Sequence, residues 1–369
     1  MIKKAISVTQ PFLPELEEFV SYLKLIWNNK WITNNGPLHQ SLERELAEYL
    51  GVKYISLFAN GTLALISSLQ ALNISGEVIT TPFSFVATTH ALWWNKITPV
   101  FVDIEPKFMN LDTHKIEAAI TEKTTAILPV HVYGNPCQVE KIQSIAQKYN
   151  LKVIYDAAHA FSVKKDGISI LNYGDLSVLS FHATKVFSTI EGGAIISHTQ
   201  EMKHHIDNLK NFGFRGELIV EEPGINAKMN EIQAAYGLLQ LKYIDNLIVK
   251  RKELSHLYKD LLRNTAGVYF IDASSDISYN YSYFPILIDK DIFGLSRDQL
   301  YDKLKLNDIF SRRYFYPLIS SFEPYKKLAS AASNNLPVAN AIADSVLCLP
   351  LYPELEIEDV IRITNIIKE

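Results

Sequence analysis

The residue with the clearest capacity for chemistry is Lys185, which lies within SFHATKVFSTIEGGA, residues 180–194. Two apolar, β-branched runs flank it, at 176–179 and 194–196, and both predict short buried strands. A lysine on a turn against a buried sheet loses hydration, so its pKa falls. Such a lysine can attack a carbonyl group and form a Schiff base. Taken alone, however, a lysine is more commonly a solvated surface charge.

A second candidate, Asp156, stands at the C-terminal end of a predicted strand, and small residues follow it. Small side chains beside an acid leave room for a flat ligand, and ligands of parallel α/β sheets bind at the carboxyl ends of strands. An aspartate there can pair with a protonated ring nitrogen, as a site for pyridoxal phosphate (PLP) requires. The alternative for a single aspartate is a helix cap after a strand.

A third candidate is the pair Gly61 and Thr62, which follows a predicted strand, 54–58, and opens an apolar helical run. Backbone amides at a helix N-terminus, together with a hydroxyl group, can bind a phosphate. Gly-Thr alone also suits an ordinary helix start. The sequence has neither a Walker pattern nor G-x-G-x-x-G, which argues against a nucleoside triphosphate or dinucleotide site.

The order of these features along the chain resembles the fold-type I PLP enzymes. Among them, it is similar to the sugar aminotransferases of the DegT/DnrJ/EryC1/StrS family. The resemblance covers nearly the whole chain, and the segments that carry it are WITNNGP at 31–37, TPFSFVAT at 81–88, PVFVDI at 99–104, PVHVYG at 129–134 and GINAKM at 224–229. Fold alone would not establish function, so the combination of motifs carries the inference.

The resemblance implies PLP as cofactor, present as pyridoxamine phosphate for half of the reaction, and no metal. It implies three catalytic residues, which are Lys185, Asp156 and His159. It also implies a set of cofactor contacts that adds Gly61, Thr62, Phe85, Ser180 and Asn226, the last donated by the neighbouring subunit of a homodimer. For an isolated Phe85 or His159, a structural role is the alternative. Lys228 stands where the family often has arginine, and lysine cannot grip an anion with two parallel hydrogen bonds.

The implied reaction moves an amino group from L-glutamate to a keto group of a nucleotide-linked sugar. The block FHATK with EGG resembles family members that act at sugar C4, whereas those acting at C3 more often carry YPxKN with GDGG. The expected substrate is dTDP-4-keto-6-deoxyglucose, aminated for surface polysaccharide such as O-antigen. The alternatives are a 3-keto sugar aminotransferase, a sugar dehydratase, in which histidine replaces the lysine, and a PLP-binding regulator. The regulator would need a DNA-binding module, for which the chain has no spare sequence.

Two further groups are candidates for substrate contact. The polar loop 30–36 carries Thr33 and Asn34, which the resemblance puts near the active site; a solvated connection is the alternative. Arg312, Arg313 and Tyr314 form a basic aromatic cluster that could hold a pyrophosphate and stack on a base. The alternative for this cluster is a partly exposed strand edge with solvated arginines.

Alternating elements must position these residues. Periodicity predicts strands at 54–58, 78–81, 100–103, 126–131, 152–156, 176–179, 194–196 and 283–288. It predicts helices at 14–28, 37–50, 62–72, 86–94, 113–120, 139–149, 202–211, 230–264, 296–306, 338–347 and 357–368, with 212–226 irregular. Such alternation predicts an α/β fold with a mainly parallel sheet covered by helices. We expect a large PLP-binding domain at 1–247 and a smaller C-terminal α+β domain at 248–369.

Composition narrows the class of protein. The 369 residues carry a formal net charge of −4, which gives no reason to expect a nucleic-acid or membrane partner. The two cysteines, Cys137 and Cys348, are far apart, so neither a disulfide framework nor a paired metal-ligand spacing is expected. The first residues lack a signal-peptide pattern, and no apolar run is long enough to span a bilayer. The expected compartment is the reducing cytoplasm.

Overall fold

The computed structural model describes residues 5–272 and 274–369. Its helices are α1 Leu16–Asn29, α2 Pro37–Leu50, α3 Gly61–Ala71, α4 Ala87–Trp94, α5 Thr113–Ile116, α6 Val139–Tyr149, α7 Gln200–Leu209, α8 Glu231–Leu241, α9 Ile244–Leu262, α10 Lys290–Phe293, α11 Arg297–Leu306, α12 Pro337–Ser345 and α13 Ile357–Lys368. Its strands are β1 Ile6–Ser7, β2 Tyr54–Phe58, β3 Glu77–Thr80, β4 Thr98–Phe101, β5 Thr124–Leu128, β6 Lys152–Asp156, β7 Lys164–Lys165, β8 Ile168–Ser169, β9 Leu176–Ser180, β10 Gly193–Ser197, β11 Phe214–Arg215, β12 Ile219–Val220, β13 Val268–Phe270, β14 Ile277–Ser278, β15 Phe284–Ile288, β16 Ile309–Phe310 and β17 Val346–Leu349.

A seven-stranded sheet in the order β2-β10-β9-β6-β5-β3-β4 forms the centre of the fold. Neighbouring strands are parallel except β10, which is antiparallel to both β2 and β9. Apolar residues of the strands and helices pack into separate clusters, because a mainly parallel sheet buries both of its faces. The predicted α/β architecture with a mainly parallel sheet is therefore confirmed.

The loop between β9 and β10, residues 181–192, projects from the carboxyl end of β9. Backbone hydrogen bonds close it at both ends, from Phe181 N to Gly192 O at 2.8 Å and from Ala183 N to Ile190 O at 2.9 Å. Phe187 fixes the loop to the core by stacking on Phe161, with ring centroids 4.6 Å apart. Lys185 is thus held on a short, anchored loop.

The predicted domain boundary near Leu247 falls inside α9. Ile244 belongs to the cluster packed on the central sheet, whereas Tyr258 belongs to a cluster around β13, β15 and β17. Ile6 packs into that second cluster as well, because β1 pairs with β16. The division at 247 stays a prediction, and the first strand joins the C-terminal cluster in space.

Three predicted elements were wrong in detail. The single helix predicted over 230–264 is two helices, α8 and α9, separated at Lys242 and Tyr243, where Tyr243 donates a hydrogen bond to Glu18 of α1. The helix predicted to reach 347 ends at Ser345, because the next four residues are buried and pair with β15 as β17. The region 212–226 contains a short hairpin, β11–β12, with Gly216 at a φ of 69° between its strands.

No helix in the described ranges has both the length and the apolar character that crossing a bilayer requires.

Candidate active site

A cavity of about 320 Å³ opens at the carboxyl ends of β6 and β9. Sequence candidates that line it are Lys185, Asp156, His159, Gly61, Thr62, Phe85, Ser180, Arg312 and Tyr314. Register explains this convergence, since Asp156 of β6 pairs with Val178 of β9, two residues before Ser180. Within the described ranges, no group of three His, Cys, Asp or Glu side chains could hold a metal ion.

Asp156 is a buried carboxylate at the last position of β6. Its Oδ2 accepts a hydrogen bond from Thr88 Oγ1 at 2.7 Å, and its Oδ1 accepts one from Ala158 N at 3.1 Å. Burial raises the pKa of Asp156, although these hydrogen bonds and the charge of Lys185 oppose the rise. Among the described residues, no cationic nitrogen lies within 4.0 Å of this carboxylate, so the site lacks a close positive partner.

Lys185 lines the cavity from the β9–β10 loop. Burial lowers the pKa of its ammonium group to about 8; Asp156 opposes this shift and Arg312 adds to it. The ammonium group of Lys185 therefore loses its proton more readily than that of a solvated lysine. A neutral amine is the nucleophile that Schiff-base formation requires.

His159 is buried beside the same cavity. Burial, with a smaller contribution from Lys185, lowers its pKa well below the usual value, so the imidazole is neutral. Its Nδ1 accepts a hydrogen bond from Tyr133 N at 3.3 Å, which leaves the proton on Nε2. Phe315 stacks on the ring at 5.9 Å between centroids, and Tyr283 meets it edge-on at 5.0 Å. The ring orientation is thus fixed by packing.

The N-terminus of α3 forms a cradle at the cavity wall. Asn60 caps the helix by accepting a hydrogen bond from Leu63 N at 2.9 Å. The amides of Gly61 and Thr62 belong to the first turn, in which backbone N–H groups have no partner within the helix. A Cβ on Gly61 would lie 2.9 Å from Cβ of Ser180, so only glycine leaves this space open. The cradle has the donors and the room for a phosphate group.

Phe85 follows β3 and keeps 53% of its surface exposed while lining the cavity. A large aromatic side chain left open beside a cavity offers a face on which a flat ring can stack. Together with the cradle and the carboxylate of Asp156, for which the described residues provide no close cation, it fits a phosphorylated pyridine.

The other sequence candidates do not line the cavity of their own chain. Thr33 is half-buried and Asn34 exposed in the loop before α2. Asn226 is also exposed. Arg313 points elsewhere, because its Nη1 donates to Asp298 Oδ1 at 2.8 Å. Arg313 instead lines a neighbouring cavity together with Arg312 and Tyr314, and its role in substrate binding stays a prediction.

Several residues that line or support the cavity were not singled out from the sequence. Thr88, which bonds to Asp156, is one turn after Phe85 in TPFSFVAT, a segment noted only as a whole. Tyr283 and Phe315 pack on His159 from more than a hundred residues away, and no local pattern signals this contact. His182 and Glu191, at opposite ends of the lysine loop, lie 3.6 Å apart at the cavity and carry no spacing signature.

The fold and the cavity together define a class, that of the fold-type I enzymes that use PLP. The model of the DegT/DnrJ/EryC1/StrS aminotransferase family matches residues 15–368. A dTDP-4-amino-4,6-dideoxy-D-glucose transaminase of Escherichia coli is 57% identical over 368 residues, covering 100% of this chain and 99% of that protein. The Shigella dysenteriae enzyme of the same name is 54% identical over 368 residues, covering 100% of both chains.

Among solved structures, that of DesI in the presence of its TDP-sugar product superimposes with a TM-score of 0.95. It is 32% identical in sequence, and the match covers 100% of this chain and 93% of that one. The chain belongs to the DegT/DnrJ/EryC1/StrS aminotransferase family and is a PLP-dependent aminotransferase. The family, fold type and cofactor predicted from the sequence are confirmed.

Proposed function

We propose that the protein transfers an amino group from L-glutamate to the 4-keto group of dTDP-4-keto-6-deoxy-D-glucose. The product, dTDP-4-amino-4,6-dideoxy-D-glucose, would serve surface polysaccharide synthesis such as that of O-antigen. The observation that carries the proposal is the end-to-end identity of 57% with a transaminase named for this sugar. The cavity supports it, because it combines an amine of lowered pKa with a buried carboxylate.

When bound, PLP supplies an aldehyde that carries the amino group and a ring that withdraws electrons from the reacting carbon. Lys185 would hold this cofactor covalently through Nζ. As a free amine, it would also remove a proton from the substrate carbon and return one, and the burial that lowers its pKa favours the neutral form that this requires. The backbone of its loop is anchored, so the lysine would act from a defined position on the cavity wall.

Asp156 would pair with the protonated ring nitrogen, and that cation would in turn favour the ionised carboxylate in its buried position. Thr88 and the amide of Ala158 orient the two carboxylate oxygens. Neutral His159 would donate from Nε2 to the phenolic oxygen of the ring. Phe85 would cover one face of the ring and exclude water from it.

The phosphate would bind at the cradle of Gly61, Thr62 and Ser180. Arg312 is the candidate for the sugar-linked diphosphate. Its Nη1 donates to Tyr314 Oη at 2.8 Å and the guanidinium lies 4.7 Å from the Tyr314 ring centroid, so the charged group is already oriented. Charge-assisted contacts to a diphosphate are stronger than neutral contacts to sugar hydroxyls.

We further propose a homodimer with two shared active sites. Exposed Asn226 would complete the cavity of the neighbouring subunit, and Thr33 and Asn34 would contact substrate from loop 30–36. A dimer of Lys185→Ala and Asn226→Ala chains has one site with neither defect. Mixing these chains should therefore restore activity. If activity stays absent after verified subunit exchange, Asn226 does not act across the interface.

The direct test supplies purified protein and PLP with L-glutamate and dTDP-4-keto-6-deoxyglucose, and identifies the product by NMR. We expect an amine at C4 and stoichiometric 2-oxoglutarate, with Lys185→Ala folded but inactive. An amine at C3 would overturn the position of attack and leave the family assignment intact. Turnover of free amino acids and keto acids alone would overturn the sugar substrate.

A further inference from the structure

Four charged side chains form a charge cluster away from the cavity: Glu43 of α2, Lys203 and Asp207 of α7, and Lys210, which follows that helix. Lys210 is buried and the other three are partly buried. Lys203 Nζ lies 3.0 Å from Glu43 Oε2 and 2.8 Å from Asp207 Oδ2. Lys210 Nζ lies 3.3 Å from Glu43 Oε1 and 2.7 Å from Asp207 Oδ1. The cluster is neutral as a whole, and the reaction proposed above uses none of it.

Stability alone does not explain this arrangement. Burial acts to lower the pKa of Lys210, but Glu43 and Asp207 outweigh it and raise that pKa, so the lysine stays charged. Replacing a buried ion-pair network by apolar residues is often neutral or stabilising. Charged groups kept in such a place are therefore better explained by the geometry that they impose.

The cluster fixes one particular segment of backbone. The carbonyl of Lys210 accepts a hydrogen bond from Ala227 N at 3.0 Å, and Leu209 O accepts one from Ile225 N at 2.8 Å. Asn211 forms an antiparallel bridge with Asn226. The residues that end α7 thus hold segment 225–227 along one side.

The edge strand of the central sheet holds the same segment from its other side. Ala59 N donates to Ala227 O at 2.7 Å, and Phe58 forms an antiparallel bridge with Lys228. Glu43 links the two sides, because its Oε1 also accepts from Leu57 N of β2 at 3.1 Å. Asn226 therefore lies in a segment whose backbone is hydrogen-bonded to the end of α7 on one side and to the end of β2 on the other.

Asn226 itself is exposed and does not line the cavity of its own chain. We propose that the charge cluster is a positioning device that fixes Asn226 for the active site of the neighbouring subunit. Lys210 is then a positioning residue that acts in trans. This inference rests on the shared dimer proposed above.

The test uses heterodimers in which only one site can work, because one chain carries Lys185→Ala. The double variant Lys210→Met/Asp207→Asn removes the ion pairs of Lys210 with Glu43 and Asp207, and it leaves the remaining pair of Lys203 and Glu43 neutral. Placed on the Lys185→Ala chain, it should lower kcat/KM and PLP affinity of the surviving site roughly 10- to 100-fold, as expected for a contact displaced by about 1 Å. Placed on the chain with intact Lys185, it should change neither quantity.

Asn226→Ala is run in both arrangements as the reference, and Lys115→Met as the matched control. Lys115 forms a 2.8 Å ion pair with buried Asp103 and ties no part of segment 225–228. If Asn226→Ala lowers activity equally on either chain of the heterodimer, the proposal of shared active sites is refuted, and this inference is refuted with it. If Asn226→Ala shows the dependence and the double variant does not, only this inference is overturned.

A double variant that does not fold is replaced by Glu43→Gln, which keeps the shape of the side chain and weakens its hold on Lys210. The same dependence on arrangement is then expected, with a smaller loss. Equal losses in both arrangements would mean that the cluster acts within its own chain, and would overturn the proposal.

Discussion

The hydrogen bond between Thr88 and Asp156 allows a sharp test of the cofactor site. Thr88→Val removes a hydroxyl group that donates to Asp156 Oδ2 at 2.7 Å and keeps the shape of the side chain. Asp156 then retains one donor, the amide of Ala158 at 3.1 Å. Because burial already raises the pKa of Asp156, losing a donor raises it further and weakens the carboxylate as partner of a protonated ring nitrogen.

The size of the effect follows from the type of hydrogen bond. A hydrogen bond to a charged group contributes about 1.5–3 kcal/mol. A change of about 1.4 kcal/mol in the barrier is a factor of ten in rate. If the bond acts fully on the transition state, kcat falls roughly 10- to 100-fold. The KM for the nucleotide sugar should change little, since Thr88 does not line the cavity.

The assay measures kcat and KM with L-glutamate and the keto sugar, together with the pH dependence of the bound cofactor's absorbance. Thr89→Val is the matched control, because the Thr89 hydroxyl is equally buried but has no hydrogen-bond partner among the described residues. Its kcat should stay within about twofold, since replacing an unpaired buried hydroxyl by a methyl group is close to neutral. Equal losses in the two variants, or no loss in Thr88→Val, would refute the role given to this hydrogen bond.

Three further predictions concern the cavity. Lys185→Met should raise the free energy of unfolding of the cofactor-free protein, because it removes a buried ammonium group. Between about pH 8 and pH 10.5 the unfolded wild-type chain binds more protons than the folded one, so wild-type stability rises with pH and the difference between the two proteins should shrink. Denaturant titrations that give the same difference at every pH would contradict this. Arg312→Gln should raise the KM for the nucleotide sugar roughly tenfold with little change in kcat, whereas Arg313→Gln, which loses an ion pair with Asp298, should change KM little. An unchanged KM in Arg312→Gln would refute its contact with the diphosphate, and equal increases in both variants would mean that Arg313 contributes as well. Gly61→Ala should weaken PLP binding in equilibrium dialysis, because the added Cβ would lie 2.9 Å from Ser180 Cβ; unchanged affinity would place the phosphate elsewhere.

Local sequence patterns predicted the structure correctly where neighbouring residues of the chain determine it. The strand at 152–156 and the helix at 139–149 have the predicted bounds, because apolar residues form a continuous run in the strand and recur at helical spacing in the helix. Lys185 was identifiable, since flanking apolar strands force a turn between them. The lowered pKa of that lysine follows from burial, which the same pattern implies.

Local sequence patterns did not predict contacts between segments that are far apart in the sequence. Phe315 and Tyr283 fix His159, yet nothing near either residue in the sequence marks that contact. The pairing of Arg313 with Asp298 of α11 could not be foreseen from a basic aromatic stretch, in which adjacent arginines look equivalent. Likewise, β17 forms because β15 offers a buried edge for it, and tertiary pairing overrides the local helical pattern.

The antiparallel strand β10 explains why the candidate residues converge. A parallel neighbour of β9 would need a crossover to the opposite edge of the sheet before the chain could return. Because β10 instead runs back from the carboxyl end of β9, the intervening loop and its lysine remain at the edge where Asp156 ends β6. Gly193, the first residue of β10, pairs with both Phe58 and Ser180, which aligns the ends of β2 and β9. The helix that follows β2 therefore starts beside Ser180, so the lysine, the acid and the phosphate cradle share one edge through strand register.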